Sequence, residues 1–186
     1  MKTPTDVLRA EHTIILRGLD LLEAAAGRIE GGAPPPDGWW EEVLAFLRAF
    51  ADRNHHAKEE DLLFPSMIQA GVPSGGGPID VMREEHEQGR ALIRAMAESR
   101  GAARAANARE YVALLRAHID KENEVLFPLA DAVLADEEQR KLESAFAAVE
   151  DELGPEVTVS YAEAAVEGFG ATLGERRIPI TARAAG

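Results

Sequence analysis

Two stretches of this sequence carry a histidine followed four residues later by a glutamate, His55 with Glu59 and His118 with Glu122. On a helix, residues four apart lie on one face about 5–6 Å from each other, so each pair can point at one spot. The stretches 55–65 and 118–128 align without gaps and share six of eleven residues, which indicates an internal repeat. A repeated His/Glu pair is a typical arrangement of ligands for a transition metal.

Two further histidines, His12 and His86, lie in the apolar stripes of two other segments. In the first segment the positions 8, 12, 15, 19, 22, 26 and 29 are separated alternately by four and three residues, the spacing of one buried helix face. Four consecutive helices therefore each carry one histidine toward the core. Carboxylates can bridge two cations, and helical bundles house di-iron centres in a related way. The sequence predicts a dinuclear metal site built from His12, His55, Glu59, His86, His118 and Glu122, with iron favoured and zinc or manganese as alternatives.

The fifth histidine, His56, leaves two interpretations open. It follows His55 directly and lies about 100° round the helix from it. It is either a solvent-facing or rim residue, or an additional metal ligand. The choice decides how many coordination positions stay open for a small ligand.

The elements that must position these residues are separated by Gly- and Pro-rich breaks near 31–36, 71–78, 99–101 and 154–155. We predict an all-α, up-down-up-down four-helix bundle over residues 1–153. Its first helix spans about 5–30 with Thr5 or Asp6 as N-cap, its second about 39–67, and a shorter helix follows at about 136–153. Residues 154–186 are predicted to form a C-terminal extension of unknown role, in which 160–169 can make two or three helical turns and 175–186 is extended or mobile. Pro65 and Pro128 are expected to kink or interrupt their helices.

Composition excludes several classes of function. The chain has 186 residues, 46% hydrophobic and 28% charged, and a net charge of −13, so binding to nucleic acid or to anionic membranes is disfavoured. The absence of cysteine excludes disulfides, thiolate metal sites and thiol catalysis. No stretch resembles a signal peptide or a membrane span, so we expect a cytoplasmic protein.

These residues together resemble the hemerythrin-like family, also called HHE cation-binding domains. Its pattern H…HxxxE…H…HxxxE is met by His12, His55–Glu59, His86 and His118–Glu122, and the stretch 77–87 resembles the iron–sulfur-repair branch of the family. The resemblance covers residues 5 to about 150. It implies an oxo- or hydroxo-bridged centre of two iron ions, with Glu59 and Glu122 as bridging carboxylates and the four histidines as terminal ligands.

The resemblance also implies a function at this centre, namely binding or turnover of dioxygen, peroxide or nitric oxide. The alternatives are an oxygen or iron sensor, a carrier without turnover, and an iron-donating protein for iron–sulfur repair. A metal-free helical interaction domain is a rival from another class. Whether the protein is an enzyme, which ligand it uses and which oligomer it forms stay open. Phe64 and Phe127 are expected to roof the site or pack in the core. Glu84, Glu85 and Glu87 are expected to form mainly a solvated face, and the alternative is that one of them contacts His86 or a metal ion.

Overall fold

A computed structural model describes residues 3–174 of the chain, and this part is built from helices without a β-strand. Two of the helices are long and contain widened turns. Helix α2 runs over residues 37–69 and helix α4 over residues 101–133. The others are α1 (Pro4–Glu30), α3 (Pro78–Glu98), α5 (Asp136–Leu153) and α6 (Val159–Thr172), with a short 3₁₀ turn at Pro155–Val157. The predicted all-α class is confirmed.

Helix α1 begins at Pro4, slightly earlier than the sequence pattern suggested. Thr3 is the N-cap: its hydroxyl accepts from the Asp6 backbone N–H, and the Asp6 carboxylate accepts from the Thr3 N–H at 2.9 Å. This reciprocal capping box satisfies two backbone donors at once, and Pro4 occupies the first turn, where its missing N–H is not needed. The prediction of Thr5 or Asp6 as N-cap was therefore wrong.

Helices α2 and α4 continue through Pro65 and Pro128, but their regular α-helical hydrogen bonding is interrupted directly before each proline. Each proline is preceded by a π-helical turn, Glu59–Leu63 in α2 and Glu122–Leu126 in α4. The N–H of Phe64 donates to the carbonyl of Glu59, five residues back, and the N–H of Phe127 donates to the carbonyl of Glu122. The wider turn accommodates a residue that cannot donate and whose ring would clash in a regular helix. Both turns begin at the glutamate of the repeated His/Glu pair.

The first four helices form the bundle. Helices α1 and α3 each pack against α2 and α4, with the most extensive contacts made by α4, so that α2 and α4 lie diagonally across it. The apolar interior is divided into two clusters of buried residues along the bundle axis. On α1, Leu8 belongs to one cluster and Ile15 to the other, and His12 lies between them. The cross-section of the bundle at His12 is therefore a polar layer that lies between two apolar clusters.

Helices α5 and α6 pack on the face formed by α1 and α2. On α6, Phe169 is 8% exposed and meets the ring of Phe46 edge-on, with centroids 5.7 Å apart. The indole N–H of Trp39 donates to the Phe169 carbonyl at 3.0 Å. The helical turns predicted within 160–169 are therefore part of the core, whereas 175–186 lies outside the described residues. None of the described helices is long and apolar enough to cross a membrane.

We expect Phe169→Ala to lower the free energy of unfolding by about 3–5 kcal/mol, because it empties a buried aromatic position between α6 and α2. The exposed Glu163→Ala on the same helix should change it by less than about 0.5 kcal/mol. Urea unfolding followed by circular dichroism measures both. Equal effects of the two variants would show that α6 is not docked in solution.

Candidate metal centre

The bundle brings all six predicted ligands together at the level of His12. Helices α1 to α4 each contribute one histidine, and α2 and α4 also contribute the glutamates of the repeat. All six side chains are at most 1% exposed, and the neighbouring His56 is 4% exposed. The solvent-facing interpretation of His56 is therefore wrong, because the widened helical segment Leu47–His56 turns its side chain inward.

The donor atoms form two groups, each compact enough to surround one metal ion. The three-histidine position consists of His56, His86, His118 and Glu59, and the two-histidine position consists of His12, His55, Glu59 and Glu122. Within each group, the donor atoms lie within 4.8 Å of one another. Glu59 belongs to both positions.

Both glutamates span the two positions. Glu59 Oε1 lies 3.6 Å from His55 Nε2, and its Oε2 lies 3.5 Å from His86 Nε2. Glu122 Oε2 lies 3.1 Å from His12 Nε2, and its Oε1 lies 3.3 Å from His118 Nε2. Each carboxylate therefore presents one oxygen to each position, as a bridging ligand must.

The chemistry of these atoms fits bound cations. Among the buried side-chain atoms of the described residues that have no hydrogen-bond partner are Nε2 of His12 and of His55 and both carboxylate oxygens of Glu59 and Glu122. Buried polar atoms of this kind are costly unless a ligand pairs with them. Burial and the nearby Glu122 raise the pKa of Glu59 well above its ordinary value. A cation between the two carboxylates would pair with their buried oxygens and offset the repulsion between their charges.

Burial keeps the imidazoles of His55 and His56 in the protonation state that binds metal. Burial lowers the pKa of His55 to about 4, although its hydrogen bond to Glu11 opposes the shift. Burial and the neighbouring His86 lower the pKa of His56 to about 3. Both rings are therefore neutral at pH 7, and a neutral imidazole is the form that ligates.

A second set of side chains orients the histidines from behind. With Nε2 facing the centre, Nδ1–H of His55 donates to Glu11 at 2.8 Å and that of His118 to Glu85 at 2.9 Å. Nδ1–H of His86 donates to Glu60 at 2.6 Å. His12 donates in the same way to the amide oxygen of Asn123 at 3.1 Å. Such partners fix the ring orientation and raise the basicity of a ligand.

Sequence reasoning missed these partners and assigned Glu85 to a solvated face. A signal was nevertheless present in the repeat. Glu11 and Glu85 each directly precede a lone ligand histidine, while Glu60 and Asn123 each directly follow a bridging glutamate. The periodicity of one helix does not show which neighbouring helix these side chains will meet.

Basic side chains complete the network. Lys58 is fully buried, and its ammonium donates to Glu11 and to Glu150 of α5, both at 2.5 Å. Its counterpart in the repeat, Lys121, donates to Glu85 and is 41% exposed. The carboxylates behind His55 and His118, the equivalent histidines of the repeat, are therefore each paired with a lysine.

Aromatic rings border the centre. Phe127 stacks on His12 with centroids 5.3 Å apart, and Phe64 lies nearly parallel to His86 at 6.2 Å. Both rings are fully buried. They belong to the apolar cluster that contains Leu8 and border the polar layer, which is consistent with both expected roles, a roof over the site and core packing.

Comparison with known proteins supports the interpretation of this geometry. Residues 3–130 match the family described as hemerythrin HHE cation binding domain. The chain therefore belongs to the hemerythrin HHE family, and this membership implies iron binding. No solved structure matches the chain significantly.

Two relatives illustrate the range of similar sequences. The iron-sulfur cluster repair protein YtfE of Yersinia pseudotuberculosis is 35% identical over 133 residues, which is 64% of this chain and 59% of the relative. An uncharacterized protein of Mycobacterium tuberculosis is 28% identical over 153 residues, which is 77% of this chain and 59% of that protein. The matches thus span about three fifths of the length of these relatives.

We expect Lys58→Met to lower the free energy of unfolding by about 3–5 kcal/mol, because it leaves the fully buried Glu11 without its ammonium partner. The matched variant Lys121→Met, at the half-exposed position of the repeat, should cost less than about 1 kcal/mol. Thermal and urea unfolding of both proteins give the comparison. Similar losses would contradict a special role of the buried ion pair.

Proposed function

We propose that this protein holds two iron ions at the centre and there binds or turns over a small ligand, namely dioxygen, peroxide or nitric oxide. The observation that carries the proposal is that Glu59 and Glu122 each direct one oxygen toward the three-histidine position and the other toward the two-histidine position. His12, His55, His56, His86 and His118 would be the terminal ligands. Bound iron would supply redox chemistry and coordination positions for the ligand.

The numbers of donors indicate where a small ligand has room. The three-histidine position receives three imidazoles and one oxygen from each glutamate, which makes five donors. The two-histidine position receives two imidazoles and two oxygens, which makes four. An ion with about six coordination positions therefore keeps more of them free at His12 and His55. The small ligand is proposed to bind there.

The protein matrix would protect this chemistry from water and hold the ligands rigid. Phe127 covers His12, and the apolar clusters close the layer from both ends. The hydrogen bonds of Nδ1 hold four of the rings with Nε2 directed inward. A site of this kind favours a small uncharged ligand over a larger polar substrate.

A second function, iron donation in iron–sulfur repair, is favoured by a specific observation. The repair protein YtfE of Yersinia pseudotuberculosis is 35% identical to this chain over 133 residues. Because the match covers 59% of that relative, the repair activity is a proposal for this chain. It would require iron to leave the centre, whereas ligand turnover requires iron to remain.

The first test is the metal content of protein purified without chelator. We expect two irons per chain and a near-ultraviolet charge-transfer band. Rapid consumption of added peroxide with recovery of that band would favour turnover, and an adduct reversed by deoxygenation would favour carriage. Transfer of iron to an acceptor with loss of the band would favour donation. A chain that takes up no transition metal would contradict all three.

Glu59→Gln separates the metal-binding role of this residue from a structural one. The variant should bind less than half the wild-type iron, because it removes a bridging carboxylate. The metal-free variant should be more stable than metal-free wild type by about 1–3 kcal/mol at pH 7, because a buried charge is gone. Glu124→Gln, an exposed neighbour of Glu122 on α4, is the control and should change neither quantity. Full iron content in Glu59→Gln would exclude bridging by Glu59.

A further inference from the structure

The centre has an internal pseudo-symmetry that relates the α1–α2 half to the α3–α4 half. In each half, the glutamate preceding the lone histidine accepts from the histidine of the other helix, and the lysine preceding the bridging glutamate donates to that same acceptor. The matching sets are Glu11, His12, His55, Lys58 and Glu59 in one half and Glu85, His86, His118, Lys121 and Glu122 in the other.

The symmetry is broken at the residue that follows each bridging glutamate. Glu60 accepts from His86 Nδ1–H at 2.6 Å, whereas its counterpart Asn123 accepts from His12 Nδ1–H at 3.1 Å. A carboxylate makes a shorter and roughly twice as strong hydrogen bond with such a donor as a neutral amide does. It also makes the imidazole a stronger metal ligand. His12 is therefore the weaker ligand of the symmetry-related pair.

The charge of Glu60 is held by a neighbouring cation. The Arg90 guanidinium donates to Glu60 at 2.8 Å and to Asp52 at 2.7 Å. Asp52 in turn lies 3.6 Å from His56 Nδ1. Two histidines of the three-histidine position are thus backed by carboxylates that share Arg90.

We propose that Asn123 makes the two metal positions unequal, so that the ion at the two-histidine position binds more weakly and exchanges first. The chain would then retain one ion and exchange the other. His56 acts in the same direction, because it adds an imidazole to the three-histidine position. Asn123 is a positioning residue, since it acts through His12. The inference rests on the proposed two-metal centre.

The test uses the full chain stripped of metal and Co²⁺ as the probe, with the binding isotherm followed by visible absorption and calorimetry. Wild-type protein should bind two ions in separate steps. Asn123→Asp should tighten the weaker step about 10- to 100-fold, and Asn123→Ala should weaken it or leave it unchanged. The mirror variant Glu60→Gln should weaken the tighter step about 10- to 100-fold and bring the two steps together. His56→Ala should also weaken only the tighter step, which assigns that step to the three-histidine position.

The opposite responses to Asp and Ala distinguish the proposal from a structural role. If Asn123 only supported the fold, both substitutions would weaken binding and lower the melting temperature. Asn123 is partly exposed, so a carboxylate is tolerated there, and Glu60→Gln provides an independent readout. Two bound ions with constants unchanged in both Asn123→Asp and Glu60→Gln would overturn this inference and leave the proposed function standing. Fewer than two ions in wild-type protein would overturn both.

Discussion

The structure depends on the burial of two carboxylates, Glu59 and Glu122, in the middle of a helical bundle. Both are fully buried, and their oxygens have no hydrogen-bond partner among the described residues. Uncompensated charges at such a depth cost several kcal/mol each, and cations bound at this level would compensate them. The two apolar clusters on either side exclude water from the layer. Without water, an unpaired carboxylate is costly to bury, and for the same reason its attraction to a metal ion is strong.

Compensation of charge continues outward in layers. Imidazoles surround the carboxylates, a second set of acceptors binds the imidazoles, and basic side chains bind most of those acceptors. The buried Lys58 also donates to Glu150 on α5, a helix that lies beyond the residues 3–130 that match the family. Phe146 of α5 also lies 5.8 Å from the Lys58 ammonium. Helix α5 is therefore part of the support of the centre.

The repeat on α2 and α4 makes the two candidate metal positions similar, and two residues that depart from the repeat make them different. The repeated His/Glu pair and the repeated π-helical turn place equivalent ligands on α2 and α4. His56 and Asn123 depart from the repeat. His56 adds a donor to the three-histidine position, and Asn123 gives His12 of the two-histidine position a neutral hydrogen-bond partner. A symmetric centre would hold both ions alike, whereas the proposed centre would combine a tightly held ion with a more accessible one. That combination suits either a small-ligand site or a source of iron.

The sequence by itself determined the all-α class and the six residues that meet at the candidate metal centre, because helix periodicity decides which face of each helix a residue occupies. His12 in an apolar stripe and the i, i+4 pairs needed nothing further. Only the tertiary structure decided that the His56 side chain faces the core and that Phe169 packs α6 onto the bundle. It also decided the hydrogen-bond partners of the other histidines, which are Glu11, Glu60, Glu85 and Asn123. These features depend on the widened turns that shift helical register and on contacts between side chains 26 to 130 residues apart. Periodicity within one helix carries no information about which neighbour it will meet.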